Sequence, residues 1–195
     1  MALNTITSPI GIDARVKALQ TDLFNELIAL WGVTSDKYDS YPICHKNYNK
    51  GRDGYIPEYL ESGAKDYTEV LHNDKTGITS FFGIDDNGIE HDGVNHETVS
   101  MHIVFMGDLS VIKNATPPAV RSDIDVRRDV YNILKRDMYG FELQEEVTGI
   151  DNVLSEYTGV LSDEQHPYMD MRPNHCFRFN LICRYNPKTV VNFNT

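Results

Sequence analysis

Apolar residues recur along this chain at two periods, which divide it into helices and strands. Val16, Leu19, Leu23, Leu27, Leu30 and Trp31 fall at three- and four-residue steps, predicting a helix from about Asp13 to Trp31 with one apolar stripe. Asp13 is placed to cap its start and Gly32 to end it. Ile124, Val130, Ile133, Leu134 and Met138 predict a second helix, about Asp123 to Met138, capped by Ser122 or Asp123 and ended by Gly140. Three other stretches alternate with period two, as half-buried strands do. From His96 to Met106, Val99, Met101, Ile103 and Phe105 alternate with Thr98, Ser100, His102 and Val104. "FELQEEV" puts Phe141, Leu143 and Val147 inward. "HCFRFNLICRY" alternates most cleanly, with Phe177, Phe179, Leu181, Cys183 and Tyr185 set against Cys176, Arg178, Asn180 and Arg184.

The stretch 38–66 follows neither period. It is rich in Tyr, Gly and Pro, which predicts a long loop or irregular hairpin whose tyrosines suit a contact surface. "YTEVLHN" and "GITSFFGI" flank "DKT" and read as a β-hairpin, after which "DDNG" and then "EHDGVNH" turn the chain. "TGIDNVLSEYTG" fits a bent strand or a short helix, while "NATPPAV" and "LSDEQHPYMDMRPN" are loops.

Three two-faced strands and two one-sided helices predict an α+β fold: a mainly antiparallel sheet with both helices packed on one face. Residues 1–195 read as a single domain, with 38–90 as an insertion-like loop and hairpin. The opposite, polar sheet face has no cover in this reading and is left to water or a neighbouring copy. Arg178 and Arg184 lie on it, near Glu142 or Glu146 if those strands pair.

Composition narrows the class of protein. A content of 41% hydrophobic and 24% charged residues is ordinary for a globular chain, and no apolar run approaches the ~20 residues of a membrane span. "MALNTITSPIGIDARV" lacks the basic and apolar regions of a signal peptide. Three cysteines, of which Cys176 and Cys183 face opposite ways in a strand, point to a reducing cytoplasm. Net charge is −11, and residues 61–120 hold ten acidic and three basic side chains. That argues against a nucleic-acid grip, which needs clustered Lys and Arg. It suits a solvated acidic face, or a wall that DNA passes without sticking.

Candidate chemistry is sparse. "HETVSMH" (96–102) begins like a zinc-protease signature, but its second histidine falls at i+6, where a helix turns it about 120° from the first. In a strand, His96 and His102 share a face yet lie roughly 20 Å apart. "DDNGIEHDG" (85–93) misses the spacing of a calcium loop. Cys44-His45 and His175-Cys176 are adjacent pairs that point apart in a strand, so neither forms a catalytic dyad. Phosphate-binding and nucleophile-elbow motifs are missing. No metal, cofactor or catalytic residue is therefore expected.

The element order, with "SDIDVRRDVYNILKRDM", "GFELQEEVTGIDNVLSEYTG" and "MRPNHCFRFNLICRYN", resembles the tail-terminator and tail-completion (head-tail connector) proteins of tailed bacteriophages. The likeness covers roughly residues 10–35 and 94–187. It implies a small α/β unit that assembles as a homo-oligomeric ring in the neck of the virion. Its partners would be other neck, portal-side and tail proteins, with DNA passing through without sequence-specific binding and no membrane involved. The family carries no active site, so the expected role is structural.

A closed ring needs two different sticky surfaces on each subunit. Tyr48, Tyr55, Tyr59, Arg178 and Arg184 are the candidate interface residues, and Asp85, Asp86, Glu90 and Asp92 the candidate acidic channel or surface. Two other readings stay open. One is a small cytosolic metal-dependent hydrolase with a site around Asp85, His91, Asp92 and His96. The other is a monomeric ligand-binding module, for carbohydrate for example, using the aromatic loop.

Overall fold

The structure, a computed structural model, describes residues 3–61, 63–72, 76–92, 96–112, 123–136, 139–161, 166–171 and 173–187. Helix α1 (Ile12–Trp31) ends on Gly32, whose left-handed φ of 63° lets its N–H reach the Ile28 carbonyl. Its N-cap is Gly11 rather than Asp13, which lies within the first turn; a carboxylate there still suits the positive helix end. Val16, Leu19, Leu23, Leu27 and Trp31 are buried as the periodicity predicts, whereas Leu30 falls on the exposed side. Helix α2 (Asp123–Leu134) buries Val130, Ile133 and Leu134 and leaves Ile124 exposed. Val126 takes that inward place. The expected Ser122 cap and Met138 lie outside the described residues.

The main sheet joins β1 (Tyr38–Ile43), β5 (Ile78–Asp92), β6 (His96–Asp108), β8 (Asn174–Tyr185) and β7 (Phe141–Thr148), in that spatial order. All pairings are antiparallel except β1 with β5. The fold is thus the expected α+β arrangement, with both helices on one face. There, Val99, Met101, Ile103, Phe105, Phe141, Phe177, Phe179, Leu181 and Cys183 share a single apolar cluster with the α1 and α2 stripes.

The connections depart from expectation. The stretch after residue 66 is not one arm of a hairpin with "GITSFFGI": β4 (Thr68–Glu69) pairs with β3 (Gly54–Tyr59), while β5 runs on through "DDNG" to pair with β6. Residues 85–88 form an irregularity inside β5 rather than a turn. A second bulge, between Leu143 and Glu145, shifts β7 so that Val147 pairs with Arg178 and joins the opposite face from Phe141. An extra residue in a strand reverses every side chain beyond it.

The largest correction concerns the face away from the helices, which this chain covers itself. Strands β2 (His45–Asn49), β3 and β4 form a small second sheet, and α3 (Ile150–Val153) and α4 (Thr158–Leu161) complete a cap. Cys44, Ile56, Tyr59, Val70, Val153, Leu154, Tyr157 and Val160 from the cap close over Phe81, Val104, Met106 and Cys176 of the main sheet. Cys176, expected on a polar face, is therefore buried. So is much of the stretch 38–66: it supplies main-sheet strand β1 and half of the cap. The cap seats at Gly54, where a Cβ would lie 2.4 Å from the backbone nitrogen of Gly159. Only two glycines allow the backbones to approach so closely.

Candidate functional site

Polar groups concentrate beside the apolar part of the cap. His102 lies on central strand β6, opposite Gly83 on β5 and Asn180 on β8. Gly83 is required there, since a Cβ would fall 2.4 Å from both His102 Nε2 and the Tyr157 hydroxyl. The irregularity after Ile84 turns Asp85 back toward the strand, and Gly88 permits it, because a Cβ at Gly88 would strike the Ser100 carbonyl at 2.5 Å. The turn after α3 brings in Glu156 and Tyr157.

His102 is fully buried. Its Nδ1 lies 2.6 Å from Asp85 Oδ1 and 3.9 Å from Glu156 Oε1, and its Nε2 lies 3.0 Å from the Tyr157 hydroxyl. Arg178 Nη1 donates to Glu156 Oε1 at 3.3 Å and to the Val153 carbonyl at 3.5 Å. Burial, and then the neighbouring Cys44 and Glu156, hold the Tyr157 phenol protonated well above its ordinary range. Both ring nitrogens of His102 are hydrogen-bonded, Nδ1 to Asp85 Oδ1 and Nε2 to the Tyr157 hydroxyl. The imidazole thus bridges β5, β6 and the cap.

A second imidazole lies on the helix side. His175 Nδ1 is 3.1 Å from Asp170 Oδ1, and the ring stacks on Phe177 beside an apolar cleft lined by Trp31, Phe105 and Val126.

The expected interface residues divide. Tyr48 (54% exposed) and Tyr55 (43%) form a cross-strand pair on the outer side of the β2–β3 hairpin, rings edge to face at 5.6 Å. Tyr59 is 5% exposed and belongs to the cap interior. Arg178 is held inside by Glu156, whereas Arg184 is exposed and stands 4.0 Å from Glu142, one of its two expected partners. The other, Glu146, pairs with Arg127 of α2.

The expected acidic surface is smaller than the charges suggest. Asp85 faces inward to His102, and Asp86 pairs outward with Lys46, whose ammonium lies over the Tyr55 ring. Glu90 remains exposed, and the Asp92 side chain lies outside the described residues. Among the described side chains, those of the hydrolase set have other partners. His91 pairs with Glu97 at the end of the β5–β6 hairpin, while Asp85 turns to His102. His102, Glu156 and Tyr157 carry no linear signature as a group, because they converge with Asp85 only through a strand irregularity in β5 and a long-range cap contact.

Comparison with protein families, with curated proteins and with solved structures finds no match for this chain. Among the described residues, no helix is long and apolar enough to cross a membrane.

Proposed function

We propose that this chain is a structural subunit of an oligomeric ring at the head-to-tail junction of a tailed phage, joining the capsid connector and the tail around the DNA channel. The observation that carries this reading is the exposed Tyr48–Tyr55 pair on a rigid support. The hairpin beneath it is seated by the Gly54–Gly159 contact, by Tyr55 N–H donating to Thr158 Oγ1 at 3.2 Å, and by the Lys46–Asp86 ion pair. Exposed aromatic side chains held in place lose little entropy on docking, which favours them at interfaces. Both sheet faces are covered, so neighbouring subunits would meet at rims: the tyrosine hairpin on one, and on the next β7, the edge strand among the described residues, beside which Arg184 and Glu142 are exposed. Exposed Glu90, near the tip of the β5–β6 hairpin, would repel passing phosphate rather than bind it. The enzyme reading has weaker support, because His102 has both ring nitrogens engaged, by Asp85 and by Tyr157.

The test is the mass of the purified chain in solution, and in particles, for the native protein and a Tyr48→Ser/Tyr55→Ser double variant. The native chain is expected to form rings or join particles, and the variant to fold normally but fail to assemble. A strictly monomeric native chain that never enters particles, or a variant that assembles normally, would overturn the reading.

A further inference from the structure

We propose that Asp85, His102 and Glu156 form a binding site for a divalent transition-metal cation of the zinc class. The inference is independent of the ring reading. Each residue offers one donor atom, and the three atoms lie within 4.8 Å of one another. They come from three separate elements, so a cation would tie β5, β6 and the cap together, which linear spacing could not reveal.

The imidazole is already aimed. Nδ1 faces both carboxylates, while Nε2 is held by Tyr157 at 3.0 Å, the kind of outer contact that orients metal-bound histidines. His102 is fully buried, but the side chains of Asp85 (31% exposed) and Glu156 (21%) reach solvent, which leaves an entry path. Two ligands about 2.0–2.1 Å from a tetrahedral zinc sit roughly 3.3 Å apart. Asp85 therefore needs to recede slightly from the ring and Glu156 to approach it. With the cation on Nδ1, the ring proton sits on Nε2 and is donated to the Tyr157 oxygen.

Hydrogen bonding around the cluster is incomplete. Glu156 Oε2 and Asn180 Oδ1 are buried acceptors without a hydrogen-bond partner among the described residues, and Asn180 is the cross-strand partner of His102. Arg178 Nε is a buried donor in the same condition. Its guanidinium contacts Glu156 and opposes a second positive charge, so it weakens cation binding without blocking the donors. That opposition supplies a diagnostic. One imidazole and two carboxylates favour Zn2+ over Mn2+, with Mg2+ and Ca2+ disfavoured because they seek all-oxygen shells.

The experiment is calorimetric titration of the chelator-treated full chain with Zn2+ and Mn2+, paired with melting curves. One zinc per chain, binding more tightly than manganese and raising the melting temperature, is expected. Glu156→Gln, which keeps the shape of the side chain and removes its charge, should weaken zinc binding at least tenfold. Arg178→Gln should tighten it severalfold by removing the opposing charge. Zinc binding that is absent, or indifferent to both substitutions, would refute the site. So would binding that survives Glu156→Gln but is lost on His91→Gln, since that would place the ion at the exposed hairpin end.

Discussion

The two faces of the main sheet are built on different plans. On the helix side β6 and β8 contribute apolar side chains, from Val99 to Phe105 and from Phe177 to Tyr185, and two continuous stripes close over them. The cap side is half apolar, around Phe81, Val104 and Met106, and half polar, around His102, Asn180 and Arg178. Its cover comes from short elements far apart in sequence, β2–β4 and α3–α4. The first face can lose polar specificity and still pack; the second depends on close backbone approaches and on particular hydrogen bonds.

The largest expected effect falls on the helix side. Phe179, fully buried and edge-on to Phe177, should cost about 3–5 kcal/mol when changed to Ala. Urea unfolding measures this, and a loss below about 0.5 kcal/mol would mean that this face is not the main core.

Next comes the seat of the cap. Gly54→Ala drives a Cβ into the Gly159 backbone, which cannot swing aside as a side chain could, so about 1–3 kcal/mol should be lost. Hydrogen exchange should quicken in β2, β3 and α4 before it does in α1. Uniform quickening in both regions would show that the two faces unfold as one unit.

Within the cap, Tyr157→Phe keeps the ring against Phe81 but leaves His102 Nε2 without its hydrogen-bond partner, at a cost of about 1–3 kcal/mol. An unchanged stability would mean that the imidazole finds another partner and that the polar half contributes little. The smallest effect belongs to the exposed pair. Tyr48→Ser with Tyr55→Ser should shift monomer stability by at most about 1 kcal/mol, because both rings are about half exposed and the double variant loses little beyond one cross-strand pair. A loss of several kcal/mol would make them part of the fold rather than a surface. Replacing the whole hairpin is not an equivalent experiment, since Ile56 and Tyr59 are cap core.

Local patterning determined the helix side of this protein. A period of two in β6 and β8 and steps of three and four in α1 and α2 already specify which side chains turn inward, because period alone sets facing. The α+β class followed from those residues. Some facings were not local. Leu30 and Ile124 lie at stripe margins, where burial is decided by how the helix rolls against its neighbours. Val147 changed face through one bulged residue, and Asp85 turned inward through another irregularity, neither of which has a periodic signature.

The cap was decided by tertiary structure alone. Its elements are too short to show a period, and "YIPEY" and "SEYTG" become neighbours only where Gly54 meets Gly159. The same closure selects among chemically similar residues. Tyr59 is covered while Tyr48 and Tyr55 stay exposed; Arg178 is drawn in while Arg184 remains outside; Asp85 meets an imidazole while Asp86 meets Lys46. Composition supplies the tyrosines, arginines and carboxylates, but their roles depend on distances in space, which a chain sets only once its far segments have packed together.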